Sequence, residues 1–411
     1  MHIGKINIPK IEIEPFAFNH DYQTKIYLQY ANIVEKEEIG RLVVESLNQD
    51  SRVLTLIGKS ISRGINAQIF EVKRLAMWFL WCANEYGQDK AKTYLEAFLN
   101  SDTISVINTL WVVGIEVESP IILDDGYIIR PLENMPDSTE KEYFLQNKMM
   151  PNFYSLPVPL CAITKDCLIT KAWGNESTVK GTEYLEEYRK TCEQLKNIAL
   201  ILNSLNDVFC TPYFSTSYVN AEVPLGPFGG SGGGNVLYDV LTRGLTKLSS
   251  SEADNINELT KKYCELNDKD KKRMGRILDR LSQAKRRRQI DDGILDLGIA
   301  LEMLLLKNSK KDQDQLSSSF RLRGSWLVGT DKTDRGKKYE QLKKIYGYRS
   351  DVAHNGILCD GNQEEITQVH KFFYEYLTLA ENICQTVIKD GYPNWKIGAE
   401  KYMEIFLHSI F

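Results

Sequence analysis

The sequence predicts an α+β body over residues 1–225 and an all-α helical bundle over residues 245–411, joined by a glycine-rich linker at 226–244. Three observations carry that prediction. The first half mixes stretches of two-residue alternation with stretches of helical period. The run Pro224 to Asn235, Pro-Leu-Gly-Pro-Phe-Gly-Gly-Ser-Gly-Gly-Gly-Asn, breaks both periods. Beyond it, apolar residues recur at three- and four-residue steps. A chain of 411 residues is also long for a single core.

Taken in order, Ile3, Ile6, Ile8, Ile11 and Ile13 alternate with polar residues, and Pro9 and Pro15 interrupt them, so short strands are expected up to about residue 30. From Lys36 to Asn100 the period is helical, with a short amphipathic helix over Glu38 to Leu47. A longer helix is expected over Ala67 to Tyr86, where Met77, Trp78, Phe79, Leu80 and Trp81 make it apolar nearly all round and hence a core element. The apolar stretch Thr103 to Ser119 leads to Asp124-Asp125-Gly126, a hairpin turn between Ile121-Ile122-Leu123 and Tyr127-Ile128-Ile129. Extended segments follow near Tyr154 to Trp173, then a helix over Thr182 to Asn203, then strand-like sequence over Val208 to Val223. No motif that carries chemistry falls in this half. The glycine run lacks the Gly-Lys-Ser/Thr ending of a phosphate loop, which leaves it as a connection.

In the second half, Ser250 to Asp254 can cap a helix. Asp268 to Arg288 forms the next one and is strongly basic, ending in Lys285, Arg286, Arg287 and Arg288, a candidate track for a nucleic-acid backbone or simply a solvated face. Asp291 to Leu306 carries Ile294, Leu297, Leu301 and Leu304 on one face with Glu302 beside them. A linker at Asn308 to Leu316 and a short polar segment with Arg321 and Arg323 lead to a helix starting near Lys337. The last long helix, Glu364 to Ile388, repeats Ile366, Val369, Phe373, Tyr376, Ala380, Ile383 and Val387, and residues 391–411 form a tail packed through Trp395, Tyr402, Phe406 and Phe411.

Composition bounds the function. Apolar and charged fractions of 43% and 26% exclude wholesale disorder. Net charge is only −4, yet about 29 Lys and Arg stand against about 25 Asp and Glu from Leu245 onward, so the basic excess falls in the helical half. The eight cysteines show no C-x-x-C pair, which argues for small buried hydrophobes in a reducing cytosol over a zinc ribbon or disulfide framework. The start lacks a charged segment followed by an apolar one, and no run approaches the ~18–20 apolar residues of a membrane span. A cytoplasmic protein without membrane contact is expected.

The segment Ile345 to Ile357, Ile-Tyr-Gly-Tyr-Arg-Ser-Asp-Val-Ala-His-Asn-Gly-Ile, concentrates the chemistry. The stripe Tyr339, Leu342, Ile345, Tyr346 runs into Arg349 and Ala353, so Arg349 faces packed surface and requires an anion. Asn355-Gly356 then supplies a helix stop. Spacing alone also reads Arg349 as an ordinary salt-bridge partner and His354 as a cation on the helix dipole.

Arg349-x-x-x-x-His354 resembles the RxxxxH motif of the HEPN superfamily, and the wider order resembles its Apea-like branch: an Asp-rich helix from Asp291 ending in Ala300-Leu301-Glu302, a basic segment Phe320-Arg321-Leu322-Arg323, then Tyr346 through Gly356. Ser350 stands where active HEPN nucleases commonly carry Asn, Asp or His, and Ser is frequent in the Apea-like pattern. The likeness covers the last 160 or so residues. It implies a HEPN-type bundle that forms a homodimer around two Arg349 and two His354, with Ser350 and Asn355 supporting. Glu302, on the neighbouring helix, is read separately as a partner that orients Arg349 by an ion pair or as a structural salt bridge. It implies single-stranded RNA cleavage without metal or cofactor: a neutral imidazole takes the 2′-hydroxyl proton, a protonated one helps the 5′-oxygen leave, and the guanidinium holds the phosphate. Arg286, Arg287, Arg288, Arg321 and Arg323 become the candidate RNA contacts. The setting it suggests is a prokaryotic toxin or anti-phage defence effector whose first half answers a phage or host trigger. A non-catalytic HEPN module that binds RNA or a protein partner fits the same residues, as does a scaffold whose last helix pairs with a partner helix.

Residues five apart on an ideal helix are turned by about 140°. Arg349 and His354 can therefore meet only if the helix unwinds near Ala353 to Gly356 or a second copy completes the site.

Overall fold

The computed structural model describes residues 6, 8–12, 22–63, 66–149, 158–173, 178–226, 245–306 and 313–392. The chain divides into two units, one of residues 1–112, 119–195 and 213–237, the other of residues 113–118, 196–212 and 238–411. The expected body over 1–225 thus lends two short stretches to the helical unit. The expected linker at 226–244 lies, apart from Gly226, outside the described residues, as does the tail beyond Tyr392.

The first unit is α+β. It opens with α1 (Tyr22–Lys36), α2 (Glu38–Asn48) and the single turn α3 (Ser51–Leu54). β1 (Ser60–Arg63) and β2 (Asn66–Ile69) then form an antiparallel pair, followed by α4 (Val72–Tyr86) and α5 (Gln88–Asn100). Two expectations are corrected here. Residues 22–36 are helical, because Tyr30, Ile33 and Val34 bury a helical stripe against the α4 core. Residues 66–69 pair as a strand, so the aromatic helix starts only at Val72.

Next come β3 (Thr103–Val113), β4 (Ile115–Val117), β5 (Ile121–Ile122), β6 (Tyr127–Pro131), α6 (Thr139–Met149), β7 (Cys161–Thr170), β8 (Ala172–Trp173), α7 (Thr178–Leu202) and β9 (Thr211–Val219). Five strands make a sheet in the order β5-β6-β7-β3-β9, and β6, β7 and β3 pair antiparallel. The Asp124–Gly126 turn between β5 and β6 is as expected, with Asp125 and Gly126 both at positive φ. Alternation along β3 explains the layering: Ile104 and Val106 join the core of α4 and α5, whereas Ile107 and Trp111 face α6, where Trp111 meets Phe144 edge-on at 5.0 Å. α6 lay unrecognised in the sequence, its charged run Thr-Glu-Lys-Glu masking the buried Phe144.

The helical unit contains β10 (Thr246–Leu248), which pairs parallel with β4, then α8 (Ala253–Glu265), α9 (Asp268–Arg286), α10 (Ile290–Leu305), α11 (Gln313–Val328), α12 (Lys332–Asn355) and α13 (Gln363–Asp390). α9 packs on α10, α12 packs on α10 and α11, and α13 runs against α8, α9, α10 and α11. The segment holding Arg321 and Arg323 is therefore a full helix, because Phe320, in mid-helix, is completely buried and tilts against Tyr346 at 5.3 Å. Side-chain caps start the helices: Asn267 accepts from Asp270 N, Asp331 from Asp334 N, and Asn362 from Glu364 N and Glu365 N.

One ion pair sits in the middle of this unit. Lys285 on α9, 1% exposed, meets Glu381 on α13, 2% exposed, at 2.5 Å. The same ammonium donates to the carbonyls of Asn203, Val208 and Leu205 at 2.5, 2.9 and 3.4 Å. Burial pushes the Lys285 pKa down and the Glu381 pKa up, and each partner pulls the other back. Lys285 thereby ties residues 203–208 to the bundle.

Candidate functional site

α12 buries Leu342, Ile345, Tyr348 and Val352, a stripe at three- and four-residue steps. The stripe differs by a small rotation from the expected one, and Ala353 is exposed. Arg349 sits at its edge. On α10, Gly298 and Glu302 lie one turn apart and both meet this side chain. Arg349 Nη2 donates to Glu302 Oε2 at 2.8 Å, with the two side chains 26% and 21% exposed. A Cβ placed on Gly298 would lie 2.5 Å from Arg349 Cγ and 2.6 Å from its Cβ, so the glycine supplies the space that the stem occupies. Arg349 Nε is buried with no hydrogen-bond partner. Burial raises the Glu302 pKa, and the Arg349 charge opposes that shift without cancelling it.

His354 is placed differently. α12 continues unbroken through Asn355 and ends at Gly356, which takes the left-handed conformation at φ 73°. Of the two alternatives, unwinding near Ala353 to Gly356 is absent. His354 is exposed in the last turn, beside the negative end of the helix dipole, and is rotated by about 140° from Arg349. Ser350 is half-buried and Asn355 exposed. One chain brings Arg349 and Glu302 together and leaves His354 on another face.

The basic residues expected to contact RNA are mostly committed within the bundle. Arg287 Nε donates to Asp296 Oδ2 at 2.8 Å, and Arg280 Nη1 reaches the other oxygen at 2.6 Å. Arg286 Nε bonds to the carbonyl of Ser282 at 3.2 Å. Arg323 Nη1 donates to Leu305 O at 2.8 Å and Arg273 Nε to Met303 O at 2.7 Å, so two arginines satisfy the carbonyls at the end of α10. Burial lowers the Arg323 pKa. Arg321 bonds to Ser317 O at 3.0 Å and lies 5.1 Å over the Tyr339 ring. Arg288 is exposed. The run is not a continuous solvent-facing track, because the nearly buried Asp296 carboxylate and the free end of α10 both demand donors.

Among the described residues no three His, Cys, Asp or Glu side chains cluster as a metal site, and no helix is long and apolar enough to cross a membrane. Comparison with protein-family models, with curated proteins and with solved structures finds no match. Gly298, Asp296 and the Lys285–Glu381 pair were missed in the sequence. For Gly298 a signal existed: it stands four residues before Glu302, the spacing that puts both on one helix face.

Proposed function

We propose that the helical unit is a HEPN-type endoribonuclease that cuts single-stranded RNA as a homodimer and without a metal ion. The observation that carries this reading is the seating of Arg349: a glycine makes room for its stem, a carboxylate fixes one end of its fork, and a buried Nε remains without an acceptor. An unsatisfied buried donor costs about 1–3 kcal/mol, which an incoming phosphate oxygen or a group of a second chain would recover. His354, five residues on and open to solvent, supplies the proton chemistry.

The 140° between the two side chains means that one subunit's Arg349 and His354 cannot flank the same phosphate, so the second copy is part of the proposal. Neutral His354 of one subunit takes the 2′-hydroxyl proton as O2′ attacks phosphorus. Protonated His354 of the other gives its proton to O5′ as the P–O5′ bond breaks. Arg349 stabilises the charge that builds on the non-bridging oxygens. A 2′,3′-cyclic phosphate and a 5′-hydroxyl result. The α+β unit is assigned the regulatory part, responding to a phage or host trigger in a toxin or defence effector.

The test is cutting of a single-stranded RNA by the full-length protein in EDTA. Arg349→Ala and His354→Ala each lower the rate by about 10²–10⁴ while melting stays cooperative. Undiminished cutting by His354→Ala removes the proposal. One observation favours a second reading, a HEPN module that binds RNA without cutting it: Glu302 already meets the Arg349 charge. That reading requires salt-sensitive binding with no turnover in any condition.

A further inference from the structure

The sequence pointed to α9 as a nucleic-acid track, but α9 spends much of its charge internally, and a different surface keeps its cations outside. α12 carries seven Lys and Arg against three Asp and Glu. On its outer face Lys343, Gly347 and His354 stand at steps of four and seven residues, within about 40° of one another and about 16 Å along the axis. Lys343 is 58% exposed, and a Cβ on Gly347 would meet nothing within 4 Å, so the helix backbone between the lysine and the histidine is open. Across from Lys344, α13 presents the half-buried ring of Phe372. Lys344 Nζ lies 5.9 Å and Lys371 Nζ 5.6 Å from its centroid.

We propose that this face of α12 and the adjoining turn of α13 form the track that leads single-stranded RNA to His354, with Lys343, Lys344 and Lys371 on the phosphates and Phe372 beneath a base. The choice of RNA over DNA rests on the ribonuclease reading; the track itself does not. Charge beside an aromatic ring suits a strand with accessible bases, since phosphates supply the salt-dependent affinity and the ring the stacking. The carboxylates here are weak competitors. Glu340 is 3.7 Å from Lys343 with both side chains largely exposed, and Glu375 accepts from Gln341 at 3.4 Å. The outer stripe of α9, Lys269, Lys272 and Arg276, is also exposed, but it has no ring within it and is bracketed by Asp268 and Asp279.

The experiment is fluorescence anisotropy of a 5′-fluorescein-labelled oligouridylate of about twelve nucleotides with full-length protein carrying His354→Ala, so that the strand survives. In that background Lys343→Gln/Lys344→Gln/Lys371→Gln lowers affinity at least tenfold at low salt. It also cuts the slope of log affinity against log salt by about 2, at ~0.7 per phosphate contact. Phe372→Leu weakens binding by about tenfold and leaves the slope unchanged. Lys269→Gln/Lys272→Gln/Arg276→Gln changes neither. The lysine variants alter exposed side chains, so matched melting curves keep the comparison free of folding. Absence of binding at low salt, an unaffected α12–α13 variant, or an equal loss in the α9 variant overturns the track. Lysine-dependent binding by a protein whose wild type never cuts leaves the track standing and removes the nuclease. Cutting and binding that ignore the three lysines do the reverse.

Discussion

Gly298→Ala is the substitution most directly dictated by the geometry. In a helix interior this change ordinarily stabilises, by about 1 kcal/mol. Here the new methyl would arrive 2.5 Å from Arg349 Cγ and 2.6 Å from Arg349 Cβ, about 1 Å inside contact distance. Both atoms belong to the base of the side chain, close to the α12 backbone, so the clash cannot be relieved by swinging the guanidinium end alone. Overpacking of this kind costs about 1–3 kcal/mol, which outweighs the helix gain and leaves a net loss near 1 kcal/mol. For a unit of this size that lowers Tm by about 2–4 °C. Relief by shifting Arg349 about 1 Å would also move its fork away from Glu302, and a displacement of that size can cost a hundredfold in rate. Differential scanning calorimetry and RNA cutting read the two effects separately. A raised Tm together with unchanged cutting would show that Arg349 does not occupy the space beside Gly298, and the site as described would be wrong.

Three further outcomes follow from the same side chains. Lys285→Met leaves the Glu381 carboxylate buried without its cation and costs about 3–5 kcal/mol by urea denaturation, whereas Lys285→Met/Glu381→Leu recovers most of that loss; equal losses in the two proteins contradict the pairing. The raised Glu302 pKa means that the folded unit holds this proton to higher pH than the unfolded chain does. Its stabilising contribution is complete below the unfolded value, near 4.3, and is lost as pH rises through the folded value. The Tm of Glu302→Gln relative to wild type therefore climbs as pH rises above the unfolded value, and a difference that is flat or falls with pH refutes the assignment. Gly356→Ala forces a side chain into a left-handed residue at φ 73° with nothing within 4 Å of the added atom, so its cost is purely conformational, about 1–2 kcal/mol. Amide hydrogen exchange in the last turn of α12 should speed up accordingly, while α10 is unaffected.

Much of the helical unit was legible because its apolar residues are its core residues. The α13 series is buried from Val369 through Phe373, Tyr376, Ala380, Ile383 and Val387, with its first member Ile366 half-buried, and the stop at Gly356 lies where the sequence placed it. The ion pair between Arg349 and Glu302 was also within reach, since a half-buried guanidinium needs an acceptor and Glu302 flanks the apolar stripe of its helix. Failure came where tertiary partners decide. Arg287, Arg323 and Lys285 read as solvent-facing cations until the groups that claim them, Asp296, the Leu305 carbonyl and Glu381, are placed in space. No period in the sequence encodes those encounters. α6 was misread for a related reason: its apolar residues are few and a charged run sets the local pattern. Residues 22–36 were misread because the isoleucine alternation and the prolines of residues 3–15 were carried on into a segment whose own Tyr30, Ile33 and Val34 have helical spacing.

The clasp between Lys285 and the carbonyls of Asn203, Leu205 and Val208, together with the pairing of β4 and β10, has a consequence for control. A protease nick between residues 226 and 244 would not free a self-sufficient helical fragment. The downstream piece would depart from a strand partner and from the acceptors of its buried ammonium, both encoded upstream. Release of the helices by simple excision is thus closed to this architecture, and the two fragments of a nicked chain should co-elute until denaturant separates them.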